Sequence, residues 1–189
     1  IINKGDEQFN SPAVIISNHQ SFLDILSIIM LNPRIILMTN DWVWKSPVFG
    51  FVVRMADYFP VAKGIDNNLD QLKAKFQQGY SIAVFPEGTR SPDGEMKRFH
   101  KGAFFLAEQL GADILPVMLH GTGDAMGKGD FLLKDGHIII EILPRIKPSD
   151  GAYGEGYAER TKSISRQFKA THRERRQLYE QGKWFRKKL

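Results

Sequence analysis

The chain has 189 residues, a formal net charge of +5 and no cysteine, with 42% hydrophobic and 25% charged residues. That balance suits one globular domain with a full core and excludes a wholly disordered chain. The lack of cysteine removes disulfide frameworks, thiolate nucleophiles and cysteine-based metal sites.

The charge is unevenly spread. Residues 160–189 carry eleven Lys/Arg against Glu174 and Glu180, whereas residues 1–159 carry fifteen basic and nineteen acidic residues. A mildly acidic body with a strongly basic tail points to an anionic partner for the tail. The acidic body, without a recognition motif, speaks against nucleic acid. The longest apolar run, Phe22 to Leu31, is ten residues and contains Asp24, too short and too polar to cross a bilayer. Ile1-Ile2 leads into Asn, Lys, Gly, Asp and Glu, which is no signal peptide, and a start without Met reads as a piece of something longer.

Strand-like and helical runs alternate. Ala13–Ser17 predicts a buried strand and about Phe22 to Leu31 a helix; Ile35–Thr39 and Tyr58–Ala62 are further apolar runs. Asn67–Gln78 places Leu69, Leu72 and Phe76 at helical spacing, closed by Gly79. Ser81–Phe85 predicts a strand, Gly102–Leu110 a helix ended by Gly111, and Ile114–Leu119 and His137–Leu143 two more strands. Apolar strands alternating with helices predict an α/β fold: a single domain with a mixed, largely buried sheet covered by helices. We expect residues 1–150 to form the body and 151–189 a hinge, at Gly151–Gly156, with a basic C-terminal helical tail. Ile164, Phe168, Leu178, Phe185 and Leu189 give that tail an interrupted amphipathic pattern. It either packs on the body or lies on a membrane surface.

Three look-alikes fail. Gly121–Gly129 resembles a phosphate loop but lacks the P-loop spacing. Gly79–Ala83 resembles a nucleophile elbow, but Ser81 opens a strand rather than ending one. The five histidines (19, 100, 120, 137 and 172) show no metal-type spacing, so no metal site is expected.

Two segments carry chemistry, each just after an apolar strand, where α/β sheets bind ligands. In the first, Asn18–Asp24, His19 is the side chain suited to proton transfer near neutrality. Asp24 could turn back to orient the imidazole, or, through Ser21-x-x-Asp24, simply cap the helix. The second runs from Phe85 to Ser91: Gly88 permits close approach of backbone to a ligand, Thr89 and Ser91 offer hydroxyls, and Arg90 offers a planar fork for phosphate or carboxylate. Glu87 would orient Arg90 or accept from a substrate hydroxyl, and the alternative for the whole segment is a polar surface turn.

Taken together, these segments resemble the glycerolipid acyltransferases, specifically the 1-acylglycerol-3-phosphate acyltransferase group. NHQSFLD matches the family's His-x-x-x-x-Asp motif and FPEGTRS its phosphate-acceptor motif. Ser46–Gly50, Phe59–Gly64, Lys101-Gly102 and Ile114–Val117 resemble further family segments in the same order, so the likeness spans roughly residues 10–148. Asp57 and Lys63 depart from the Gly and Arg usual in the second motif.

The resemblance implies a general base, His19, with Asp24 as its partner, and a substrate site of Lys63, Glu87, Gly88, Thr89 and Arg90. It implies direct transfer of an acyl group from an acyl-CoA or acyl carrier protein thioester to a hydroxyl of a lysophospholipid or glycerol phosphate, in phospholipid biosynthesis, with no cofactor beyond the thioester. The altered second motif leaves an amino-acid-containing lipid acceptor open. The basic tail with Trp42, Trp44, Phe49 and Phe51 leaves open a membrane-binding module without independent activity. Without the family's upstream anchoring helices, the expected place is the cytoplasmic face of a membrane, peripherally or within a longer anchored chain.

Overall fold

The computed structural model describes residues 1–39, 59–60, 68–91, 95–130 and 132–181. Along the chain run β1 (Ile2–Asn3), β2 (Val14–Ser17), α1 (Leu23–Ile29), β3 (Ile35–Thr39), β4 (Phe59–Pro60), α2 (Leu69–Gln77) and β5 (Ser81–Val84). There follow α3 (Gly102–Leu110), β6 (Ile114–His120), α4 (Thr122–Ala125), β7 (Ile139–Ile142), a 3-10 turn (Gly151–Tyr153) and α5 (Tyr157–Glu180). Every strand and helix expected from the apolar pattern is present where it can be described, and β1 and α4 are additional.

The strands form one mixed sheet in the order β1-β7-β6-β2-β5-β3-β4. β2 lies at its centre, parallel to β5 on one side and to β6 on the other. β7 runs antiparallel to β6. Alternation along the strands sorts side chains to two faces. Ile15, Leu37, Leu115 and Val117 pack with Phe22, Ile25 and Ile28, so α1 covers one face. Val14, Ile16, Ile82 and Met118 pack with Leu72, Phe104, Ile164 and Phe168, so α2, α3 and α5 cover the other. With both faces covered, the inner strands read as solid apolar runs.

Within the described part of the tail, α5 is one helix of 24 residues. Its buried side mixes apolar and polar groups, Ile164, Phe168 and His172 with Arg160 and Thr161. Arg160 donates to the carbonyls of Lys147, Pro148 and Asp150, fixing the start of the helix to the segment after β7. Among the described residues no helix is long and apolar enough to cross a membrane.

Candidate active site

Because β2 and β5 are parallel and in register (Ile16↔Val84), they end side by side. Residues two or three positions past the two ends therefore meet, although 68 positions separate them in sequence. His19 follows β2, and Asp24 sits in the first turn of α1. Asp24 Oδ2 lies 2.9 Å from His19 Nδ1. The same oxygen accepts from the backbone N–H of Gln20 (2.6 Å) and of Ser21 (2.7 Å). Ser21 Oγ in turn accepts from Leu23 N. The helix-start role and the histidine-partner role thus fall to one carboxylate oxygen.

Asp24 is 0% exposed, and its Oδ1 has no hydrogen-bond partner among the described residues. Facing a carboxylate oxygen, Nδ1 is placed to donate, which leaves Nε2 available to accept. An imidazole oriented this way can serve as a general base.

The segment after β5 grips His19 by its main chain. Glu87 Oε1 accepts from His19 N at 2.9 Å, and Ser91 N donates to the His19 carbonyl at 2.8 Å. The Phe85 ring stacks on the imidazole with centroids 4.1 Å apart. The second oxygen of Glu87 accepts from Lys97 N at 2.8 Å. Burial raises the Glu87 carboxyl above its ordinary value, against the opposing pull of these two backbone N–H groups. Lys97 Nζ reaches the Arg90 carbonyl at 3.3 Å, bringing a second cation to the Arg90 turn. Gly88 has φ +70°, and a Cβ there would come within 3.3 Å of the His100 ring, so the turn needs glycine for conformation as well as space. On the other flank of β2, Asn18 exchanges two hydrogen bonds with the Leu119 main chain, locking the His19 turn to β6.

Across residues 1–120 the chain matches the model of the Acyltransferase family. The chain belongs to the acyltransferase family. Among its relatives, the chloroplastic 1-acyl-sn-glycerol-3-phosphate acyltransferase LPAT1 of Arabidopsis thaliana is 36% identical over 139 residues, 70% of this chain and 39% of that protein. A 1-acyl-sn-glycerol-3-phosphate acyltransferase of Chlamydomonas reinhardtii is 31% identical over 149 residues, 76% of this chain and 45% of its own length. The chain therefore spans about two fifths of the length of these curated relatives. The crystal structure of the 1-acyl-sn-glycerophosphate acyltransferase PlsC from Thermotoga maritima superimposes with a TM-score of 0.75 at 25% identity, over 92% of this chain and 70% of that one.

Of the residues singled out in the sequence, His19, Asp24, Glu87, Gly88, Thr89 and Arg90 converge at the carboxyl ends of β2 and β5. Lys63, Asp57, Trp42, Trp44, Phe49, Phe51, Phe185 and Leu189 lie outside the described residues. Lys97 lies outside both segments singled out in the sequence, and Ser91, expected to offer its hydroxyl, holds His19 through its main-chain N–H. Those main-chain bonds follow from register, to which side-chain chemistry gives no clue.

A second polar group lies buried beyond β6. Glu141 on β7 is fully buried, contacted by Lys4 Nζ, with Arg175 Nε at 3.7 Å and His120 Nε2 at 3.9 Å. Burial pushes its carboxyl up, but His120, Lys4 and Arg175 outweigh that and hold it below the ordinary value. Two histidines that look scattered in the sequence, His120 and His172, stack with centroids 5.0 Å apart. Burial, reinforced by His120 and Arg176, pushes His172 down to about 3.

Proposed function

We propose that this acyltransferase moves a fatty acyl group from an acyl thioester to a hydroxyl of a lysophospholipid or glycerol phosphate, as a step in phospholipid synthesis. The observation that carries the reading is the contact between His19 Nδ1 and the buried Asp24 Oδ2, placed against the Arg90 turn. His19 Nε2 takes the proton of the acceptor hydroxyl, and the oxygen attacks the thioester carbonyl carbon. Asp24 stabilises the imidazolium that forms. The tetrahedral intermediate collapses with cleavage of the carbon–sulfur bond, and the proton on Nε2 passes to the departing thiolate. Ester and thiol result, with no covalent acyl-enzyme, consistent with a chain that has no cysteine.

Arg90 holds the acceptor phosphate through its planar fork, with Lys97 adding charge beside it and Lys63 assigned the same task by its motif. Glu87, with each carboxylate oxygen accepting from a main-chain N–H, is a positioning residue for His19. The donor is acyl-CoA or acyl carrier protein, and no cofactor beyond the thioester takes part. The reaction takes place at a membrane surface, because the acceptor is a lipid.

A panel of lyso-lipid acceptors, with and without phosphate and including amine-bearing ones, offered with one labelled acyl thioester and read by product mass, tests the reading. The expected product is a phosphate-bearing ester whose formation falls at least about 10³-fold in His19→Ala. Near-normal turnover in that variant, or no product with any acceptor, would sink it.

A further inference from the structure

We infer that the loop after β6 and the outer face of α5 together form a docking surface for an anionic phospholipid bilayer, with Leu132 and Leu133 entering the lipid. The inference rests on the reading above, in which the acceptor is a lipid. Leu132 and Leu133 are adjacent and 79% and 69% exposed. Single exposed leucines are ordinary on a soluble domain, whereas two in a row in the loop that follows β6 leave apolar area that the other described residues do not cover.

The base of that loop is fastened down. Gly121 takes a left-handed φ of +80°, and a Cβ there would overlap the His137 carbonyl. Lys134 N donates to the Ala125 carbonyl, and the Lys134 ammonium pairs with Asp130. Ser21, in the catalytic turn, donates its hydroxyl to the Met126 carbonyl, so the loop sits directly beside His19.

The charge that complements the leucines comes from α5. Lys162, Arg166, Lys169 and Arg173 follow one another at spacings of four, three and four, one stripe turned away from the buried Ile164–Phe168–His172 side. Tyr179 OH donates to the His137 carbonyl, joining the end of this helix to the loop. Arg173 and Arg176 approach Glu95, and Lys169 lies over the Phe99 ring, so the stripe also borders the segment that carries Lys97. An exposed apolar pair and a cationic ridge, carried on a loop and a helix that Tyr179 joins, are the composition that interfacial segments present to anionic lipid. Seated this way, the carboxyl edge of the sheet would face the layer that holds the acceptor.

Sedimentation of the chain with vesicles of phosphatidylcholine alone, and of phosphatidylcholine mixed with phosphatidylglycerol, tests the surface. The chain is expected to partition onto the mixed vesicles and to leave them as salt is raised. A Leu132→Ser, Leu133→Ser double variant and an Arg166→Glu, Lys169→Glu double variant should each lose about tenfold or more in partitioning, with unchanged thermal unfolding. Transfer to a monomeric short-chain lysophospholipid without vesicles should be unaffected in both. If the parent chain lacks that transfer, the functional reading fails while partitioning is still scored on its own. Undiminished partitioning in either variant, equal binding to the two vesicle types, or retention on an acidic carrier protein without vesicle binding would overturn the docking surface.

Discussion

At the residue scale, one oxygen of Asp24 serves three groups, among them the imidazole proposed as the base. Asp24→Asn can keep all three bonds through its amide oxygen, with its NH2 where Oδ1 has no hydrogen-bond partner, but it removes the negative charge that stabilises an imidazolium. Turnover should fall about 10²-fold or more with the acceptor KM nearly kept, measured by steady-state kinetics. A parallel loss in KM would mean that Asp24 shapes the acceptor site instead. Glu87→Gln replaces one of two accepting oxygens with a donor, so either His19 N or Lys97 N loses its partner. One lost hydrogen bond of about 1.4 kcal/mol predicts roughly a tenfold fall in kcat. Glu87→Ala, which frees both N–H groups, should fall further. Equal activity of Gln and parent would show that the carboxylate does not position His19.

At the element scale, α5 reaches the sheet through a buried side that includes His172. Beside that imidazole stand His120 from β6 and Arg176 on its own helix, and His120 in turn approaches Glu141 of β7 with its cations Lys4 and Arg175. The folded protein resists protonating His172, whose pKa falls from 6.5 to about 3. A histidine depressed on folding contributes stability that is whole above 6.5 and drains away as pH falls from 6.5 toward 3. The unfolding midpoint should therefore drop on acidification through that window. His172→Gln keeps a polar group but removes the titration, so its midpoint should vary less over the same range. An identical acid response in both would place the sensitivity elsewhere.

The same helix shows why its pattern looked broken in the sequence. Arg160 and Thr161 are buried, the first capping three carbonyls and the second bonding the Tyr157 carbonyl. A scan for apolar residues alone skips both. The 3-10 turn at Gly151–Tyr153, with Asp150 accepting from Ala152 N, likewise stands where glycine content suggested only a hinge.

At the scale of the whole molecule, what was legible and what was not divides by sequence distance. The strands and helices of the body announced themselves through solid apolar runs and helical spacing, and the His19–Asp24 pair spans only five positions. The hold of Glu87 on His19 depends on the parallel register of β2 and β5 and could not be read from either segment alone. β1 is two residues long and exists as a strand because β7 offers it a partner edge. The buried Glu141 looks, in HIIIEIL, like the polar step of a half-exposed strand. It is fully buried because the N-terminal segment and α5 bring cations to it.

The main-chain grip on His19 has a consequence for selectivity. Its N–H and its carbonyl are both held by the turn that carries Arg90, so that turn and the imidazole form one mechanical unit. Under the proposed roles, an acceptor whose phosphate sat badly against Arg90 would tug that loop and take the imidazole with it, away from the hydroxyl to be deprotonated. A mismatched lipid would then be refused at the proton-transfer step more than at the door: it would bind, and it would wait.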